Sequence, residues 1–168
     1  VLARKRGYST VAREVPAVAG ATVEVPIRQL RSQVTKTFDA GAGTTIVTKG
    51  AQVRIPSGTL TREDGTVYDG PATASVSYLS PDTVDGVQGF LAPYRGIDGS
   101  ERMIRSVGVI EATLSDPAGA PLLLREGAPA TLRFPPSSVA RDVASVPLWY
   151  YDEQAQTWQR EGTARRAS

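Results

Sequence analysis

The chain has no cysteine and no histidine among its 168 residues. The first absence removes disulfides, thiol nucleophiles and thiolate-ligated metals. A chain of this length can bury a core without such staples, and lack of cysteine does not fix a compartment. The second absence excludes the commonest general base, the Ser-His-Asp arrangement and imidazole metal ligands. Lysine occurs only as Lys5, Lys36 and Lys49, and the formal net charge is +2. The concentrated basic runs, Arg4-Lys5-Arg6 and Arg165-Arg166, lie near the two ends. Nucleic-acid binding needs clustered positive charge interleaved with aromatics, so no nucleic-acid partner is expected. No stretch approaches the roughly 20 apolar residues of a membrane-spanning helix. Val1 does not resemble a natural start, and the expectation is a piece of a larger protein.

What is present is punctuation. Sixteen glycines and twelve prolines divide the chain into short pieces. Between them lie runs of strand chemistry with apolar residues at period two. Thr22 to Ile27, Thr44 to Thr48, Ala51 to Ile55, Val67-Tyr68 and Ala72 to Leu79 are the first group. Ser106 to Leu114, Pro121 to Leu124, Ala130 to Phe134, Val146 to Asp152 and Thr157 to Gln159 are the second. Turns are expected at Lys49-Gly50, at Glu63-Asp64-Gly65-Thr66 and at Asp116-Pro117-Ala118-Gly119, because these residue types accept the required dihedrals. A short helical turn is expected from Ser137 to Val143, after Pro135-Pro136. The pattern predicts an all-β, antiparallel sandwich or barrel. Residues 1–31 differ in character and are expected to be strands of a preceding small β domain; the main domain spans 38–163, and 164–168 is a tail. Residues 50–57 echo residues 127–137, each a strand with an arginine between apolar residues, halted by proline.

Acidic residues fall in loose groups: Glu63, Asp64 and Asp69; Asp82 and Asp85; Asp152 and Glu153. Paired carboxylates cleave glycosides only when a cleft sets them a few ångströms apart. Here each group sits at an expected turn, so a glycosidase built on Asp82, Asp85 or Asp98 is the weakest reading. No catalytic residue and no cofactor is assigned. Calcium is the one metal left open, through Asp82-x-x-Asp85-Gly86 with loop carbonyls, although no EF-hand pattern is present. No Gly-x-Ser-x-Gly elbow occurs, and Gly41-Ala42-Gly43 lacks the rest of a phosphate-binding loop. The aromatics Trp149, Tyr151 and Trp158 fall on an expected hairpin, with Trp149 and Tyr151 on one face. Packing is their first role, with Trp158 pairing across the strands. A sugar-stacking platform of Trp149, Trp158 and Tyr94 is the alternative. The turn-rich segment from Asp82 to Glu101, carrying Phe90 and Tyr94, is a second candidate partner surface.

Several of these elements together resemble a known family. They are Gly50-Ala51-x-Val53-x-Ile55-Pro56-x-Gly58, Asp64-Gly65-x-x-Tyr68-x-Gly70, Gly108-x-Ile110-x-Ala112, and Val146-Pro147-Leu148-Trp149-Tyr150-Tyr151-Asp152-Glu153 with Trp158 and Gly162. The series is similar to the β-sandwich region of cartilage intermediate layer protein and related bacterial surface proteins, distantly like the sandwich of netrin receptors and ankyrins. The resemblance implies an extracytoplasmic, non-catalytic structural or adhesive module in a cell-envelope protein. Its implied partners are neighbouring domains, other envelope proteins or glycans. It also implies that residues 1–31, with Gly7-Tyr8, end a carboxypeptidase-regulatory-like domain of transthyretin type. Some relatives cleave themselves at a histidine-containing motif; that activity does not carry over to a chain without histidine.

Overall fold

A computed structural model describes residues 2–3, 5, 7–8, 11–12, 19–20, 22–25, 27, 29–83, 93–95, 101–103, 106–140, 142–152, 155 and 157–166. Over these residues the protein is all-β, with antiparallel pairing throughout and one 3-10 turn at Ser138–Ala140. The first three-stranded sheet places β8 (Pro71–Leu79) between β3 (Val34–Asp39) and β11 (Val109–Ser115). The second places β5 (Ala51–Ile55) between β4 (Thr44–Thr48) and β13 (Thr131–Arg133). A smaller third sheet sets β6 (Leu60–Thr61) between β7 (Val67–Tyr68) and β12 (Leu123–Leu124). Three two-stranded pairs complete the set: β1 (Leu2–Ala3) with β2 (Val11–Ala12), β9 (Pro93–Arg95) with β10 (Glu101–Met103), and β14 (Ser145–Asp152) with β15 (Thr157–Arg165).

Period-two alternation decides which side of each strand is buried. In β8, Ala72, Ala74, Val76 and Tyr78 are buried while Thr73 and Ser75 lie on the other face, where Ser75 Oγ meets Thr35 Oγ1 at 3.2 Å. In β5, Ala51, Val53 and Ile55 point inward and Arg54 outward. All three sheets feed one core: Ala72, Ala74 and Val76 from the first, Ile46, Val53 and Ile55 from the second, and Leu60 from the third, joined by Leu122. Around the alanines of β8 the first sheet adds Val34 and Phe38 from β3 and Ile110 and Leu114 from β11, partly buried against the same core. Each large aliphatic side chain so enclosed contributes on the order of 1.5–3 kcal/mol.

The connections follow their turn chemistry. Lys49 and Gly50 have φ of 46° and 83°, the left-handed pair of a two-residue hairpin between β4 and β5. Lysine at the first of these positions costs about 1 kcal/mol against the Asn or Gly usually found there. The crossing from β3 to β4 is tighter. Asp39 Oδ1 accepts the Gly41 N–H at 2.8 Å, and the Asp39 carbonyl accepts from Gly43 N at 3.0 Å. Gly43 has φ 71°, and a Cβ there would lie 2.6 Å from the Ile55 carbonyl oxygen. That approach of two backbones admits no side chain.

Several expectations need correction. Thr22 to Val25 and Ile27 form no strand; Val23 is 47% and Ile27 37% exposed. Alternation specifies a strand only when a partner pairs with it, and Pro26 removes one donor from this segment. At the other end β15 runs to Arg165, well beyond the expected end at Gln159. The polar run 160–163 has no alternation of its own and is extended by pairing with β14, where Ser145 lies opposite Arg165. The expected helix from Ser137 to Val143 is one 3-10 turn. Within the segment from Asp82 to Glu101, β9 pairs with β10 in a register that sets Tyr94 opposite Arg102. The two echoing segments are antiparallel neighbours in one sheet, with Leu132 opposite Val53.

Gly43→Ala is expected to cost about 3 kcal/mol or more, combining left-handed strain with a backbone clash. Gly58→Ala, at φ 64° with open space around the new Cβ, should cost about 1 kcal/mol. Urea unfolding of the two variants, read against the parent chain, checks the ordering.

Candidate functional site

The hairpin β14–β15 carries the aromatic candidates. Tyr151 lies directly opposite Trp158, their rings edge-to-face with centroids 5.5 Å apart and planes at 68°. Trp149 faces Arg160 on the same side. The cross-strand partner of Trp158 is therefore Tyr151, and the ring geometry is the edge-to-face arrangement aromatic quadrupoles favour. The register shifts between Leu148 and Trp149, so that Glu161 is an extra residue on β15. The half-buried positions change at the same place. Val146 and Leu148 are the half-buried residues before it, whereas Trp149 and Tyr151 are half-buried after it. Tyr150, on the opposite face from the tryptophan, is 44% exposed.

The carboxylates hold turns. Asp39 Oδ1 accepts from Gly41 N, Asp64 Oδ1 from Thr66 N at 2.9 Å, Asp116 Oδ1 from Ala120 N at 2.9 Å, and Asp152 Oδ1 from Ala155 N at 2.9 Å. Each substitutes a charged acceptor for a missing backbone partner. Asp82, in the turn after β8, accepts a hydrogen bond from Ser138 Oγ of the 3-10 turn. Asp85, Asp98 and Phe90 lie outside the described residues, and of Tyr94 only the backbone pairing is described. Among the described residues no three Asp or Glu side chains converge as a metal site would require.

Two polar clusters were not signalled by sequence. Asp116 is 7% exposed, and its Oδ2 accepts from Arg62 Nη1 at 3.0 Å. Arg62 in turn lies over the Tyr68 ring, 4.8 Å from its centroid, and the Tyr68 hydroxyl donates to the Pro71 carbonyl at 2.6 Å. The Asp-Pro-Ala-Gly motif marks a turn, but nothing local shows that its carboxylate reaches a residue 54 positions away. The second cluster is Gln33. Its Oε1 accepts from Thr48 Oγ1 at 2.8 Å and from Tyr78 N at 3.1 Å, and its Nε2 donates to the Tyr78 carbonyl at 2.8 Å. The side-chain amide thus stands where a further peptide group of β3 would pair with β8, and it adds a bond to β4. Burial pushes the Tyr78 phenol above its ordinary value of 10.0; the Asp82 charge adds to this and a hydrogen bond with Ser80 opposes it.

Comparison with family models, curated proteins and solved structures returns no match for this chain.

The Arg62 hydrogen bond, followed by the Ala120 N–H, holds the Asp116 carboxyl below its ordinary value of 3.8. The Thr66 N–H does the same for Asp64. Lowered folded values mean that the unfolded chain binds protons first on acidification. The contribution is therefore complete above the ordinary value and disappears as pH falls through the folded one. Thermal melts between about pH 2 and pH 6 should show a loss of stability confined to the region below roughly pH 4. Asp116→Asn should be less stable at neutral pH, with a shallower decline in acid.

Proposed function

We propose that this chain is a non-catalytic structural or adhesive module of a larger cell-envelope or surface protein, acting as a scaffold or protein-interaction domain. The finer fold reading is a β-sandwich of the kind found in cartilage intermediate layer protein-like and netrin-receptor-and-ankyrin-like proteins, placed outside the cytoplasm. The observation that carries the non-catalytic part is the use made of carboxylates. Asp39, Asp64, Asp116 and Asp152 each accept a backbone N–H within their own turn. For Asp64 and Asp116 these bonds hold the carboxyl below its ordinary value, which makes both poor general acids at neutral pH. With no histidine or cysteine in the chain, a nucleophile would also need a base from elsewhere. The envelope location draws on the resemblance of the Val146-to-Gly162 pattern.

A second reading is glycan binding by Trp149, Trp158 and Tyr94. It is favoured by one observation: Trp149, Tyr151 and Trp158 occupy one face of the hairpin and are half-buried rather than enclosed.

Turnover assays with glycoside, ester and peptide substrates are expected to match the protein-free blank. Turnover that is abolished by Asp82→Asn would overturn the non-catalytic reading. Glycan-array binding that Trp149→Ala removes while the circular dichroism spectrum is kept would favour the second reading.

A further inference from the structure

We propose that the cleft at the Gln33 end of the sheets binds one saccharide ring bearing an anionic group. The cleft measures about 260 Å³. That lies just below the range of about 300–1,000 Å³ typical of drug-sized ligands and suits a single ring. Its floor is rigid, because Gln33 and Tyr78 are locked together by the amide clamp. Leu30 and Leu79 supply apolar wall, and the lining includes the hydroxyls of Ser80 and Thr83, which are held in place by their own turn: Ser80 Oγ accepts from Asp82 N at 3.2 Å and Thr83 Oγ1 donates to the Ser80 carbonyl at 3.0 Å. Such a mixture takes the C–H face of a sugar on one side and its hydroxyls on the other.

The charge comes from Arg31 and Lys49, both exposed and both lining the cleft. Neither has a carboxylate partner among the described residues. The nearby acid, Asp82, is engaged by Ser138. Lys49 is also the one non-glycine residue with positive φ among those described. A position whose backbone asks for Asn or Gly instead carries an ammonium at the mouth of a cleft. Departures from local preference of this kind collect at functional positions. The cleft shares no residue with the aromatic hairpin, and the inference does not depend on the envelope-protein reading.

The test is titration of the 168-residue chain, followed by amide shifts in two-dimensional NMR, with D-glucuronate, D-glucose 6-phosphate, D-glucose, acetate and inorganic phosphate. The expected result is a saturable response at Lys49, Gly50 and Ser80 to one or both acidic sugars, the stronger identifying the anion. Arg31→Gln and Lys49→Asn should each weaken it about tenfold, as loss of a charge-assisted contact does. Because Asn suits the left-handed turn, Lys49→Asn should melt higher than the parent chain, so its lost binding cannot be ascribed to unfolding. No response, an equal response to D-glucose, or an equal response to acetate or phosphate alone would overturn the proposal. So would an affinity unchanged in both variants.

Discussion

The fold depends on one requirement: the first sheet must be joined to the other two through polar groups that have their own hydrogen-bond partners. At one end the Gln33 amide does this, accepting from Thr48 and Tyr78 and donating back to Tyr78. A side-chain amide has the same donor and acceptor as a peptide group, so it can extend a strand sideways where the backbone turns away. At the other end of the same sheet the junction is ionic. Arg62 on the third sheet's hairpin bonds Asp116 just beyond β11 while stacking over Tyr68, whose hydroxyl holds the start of β8. An unpaired polar group at either place would cost more than the bond contributes when made. Between these junctions lies the apolar cluster, from Ile46 and Val53 across to Ala74 and Val76.

This division explains why the acidic residues take part in architecture. A small β protein needs many reversals, and each reversal leaves N–H groups without strand partners. Aspartates at 39, 64, 116 and 152 fill that need. Edges are handled in the same spirit. Lys36 on β3 sends its ammonium to the Thr45 carbonyl of β4 at 3.2 Å, so the margin where the chain crosses between sheets is covered by a charge. Lys49 is the exception, a cation placed on a strained turn without a structural partner among the described residues.

The β14–β15 hairpin follows another logic. The half-buried positions of β14 change sides at the point where β15 carries one additional residue, Glu161. Val146 and Leu148 therefore serve one surface while Trp149 and Tyr151 serve the opposite one.

The sequence by itself determined the all-β class, most strand positions and the main turns. Alternation and the Lys-Gly, Asp-Gly and Asp-Pro-Ala-Gly motifs act within a few residues, and local dihedral preferences settle them. It also excluded histidine- and cysteine-based chemistry outright. The tertiary structure alone decided everything that depends on a distant partner. Thr22 to Ile27 has a strand pattern but no described partner, while residues 160–163 have no pattern and are a strand because β14 pairs with them. Tyr151 meets Trp158 because Asp152 pairs with Thr157 at the hairpin's end and the register runs unbroken from there to Trp149. Gln33 and Tyr78 are 45 residues apart, and Arg62 and Asp116 are 54 apart. A hydrogen bond acts over about 3 Å, so only folding brings such groups within range, and with Gln33 and Tyr78 the cleft that they help to line.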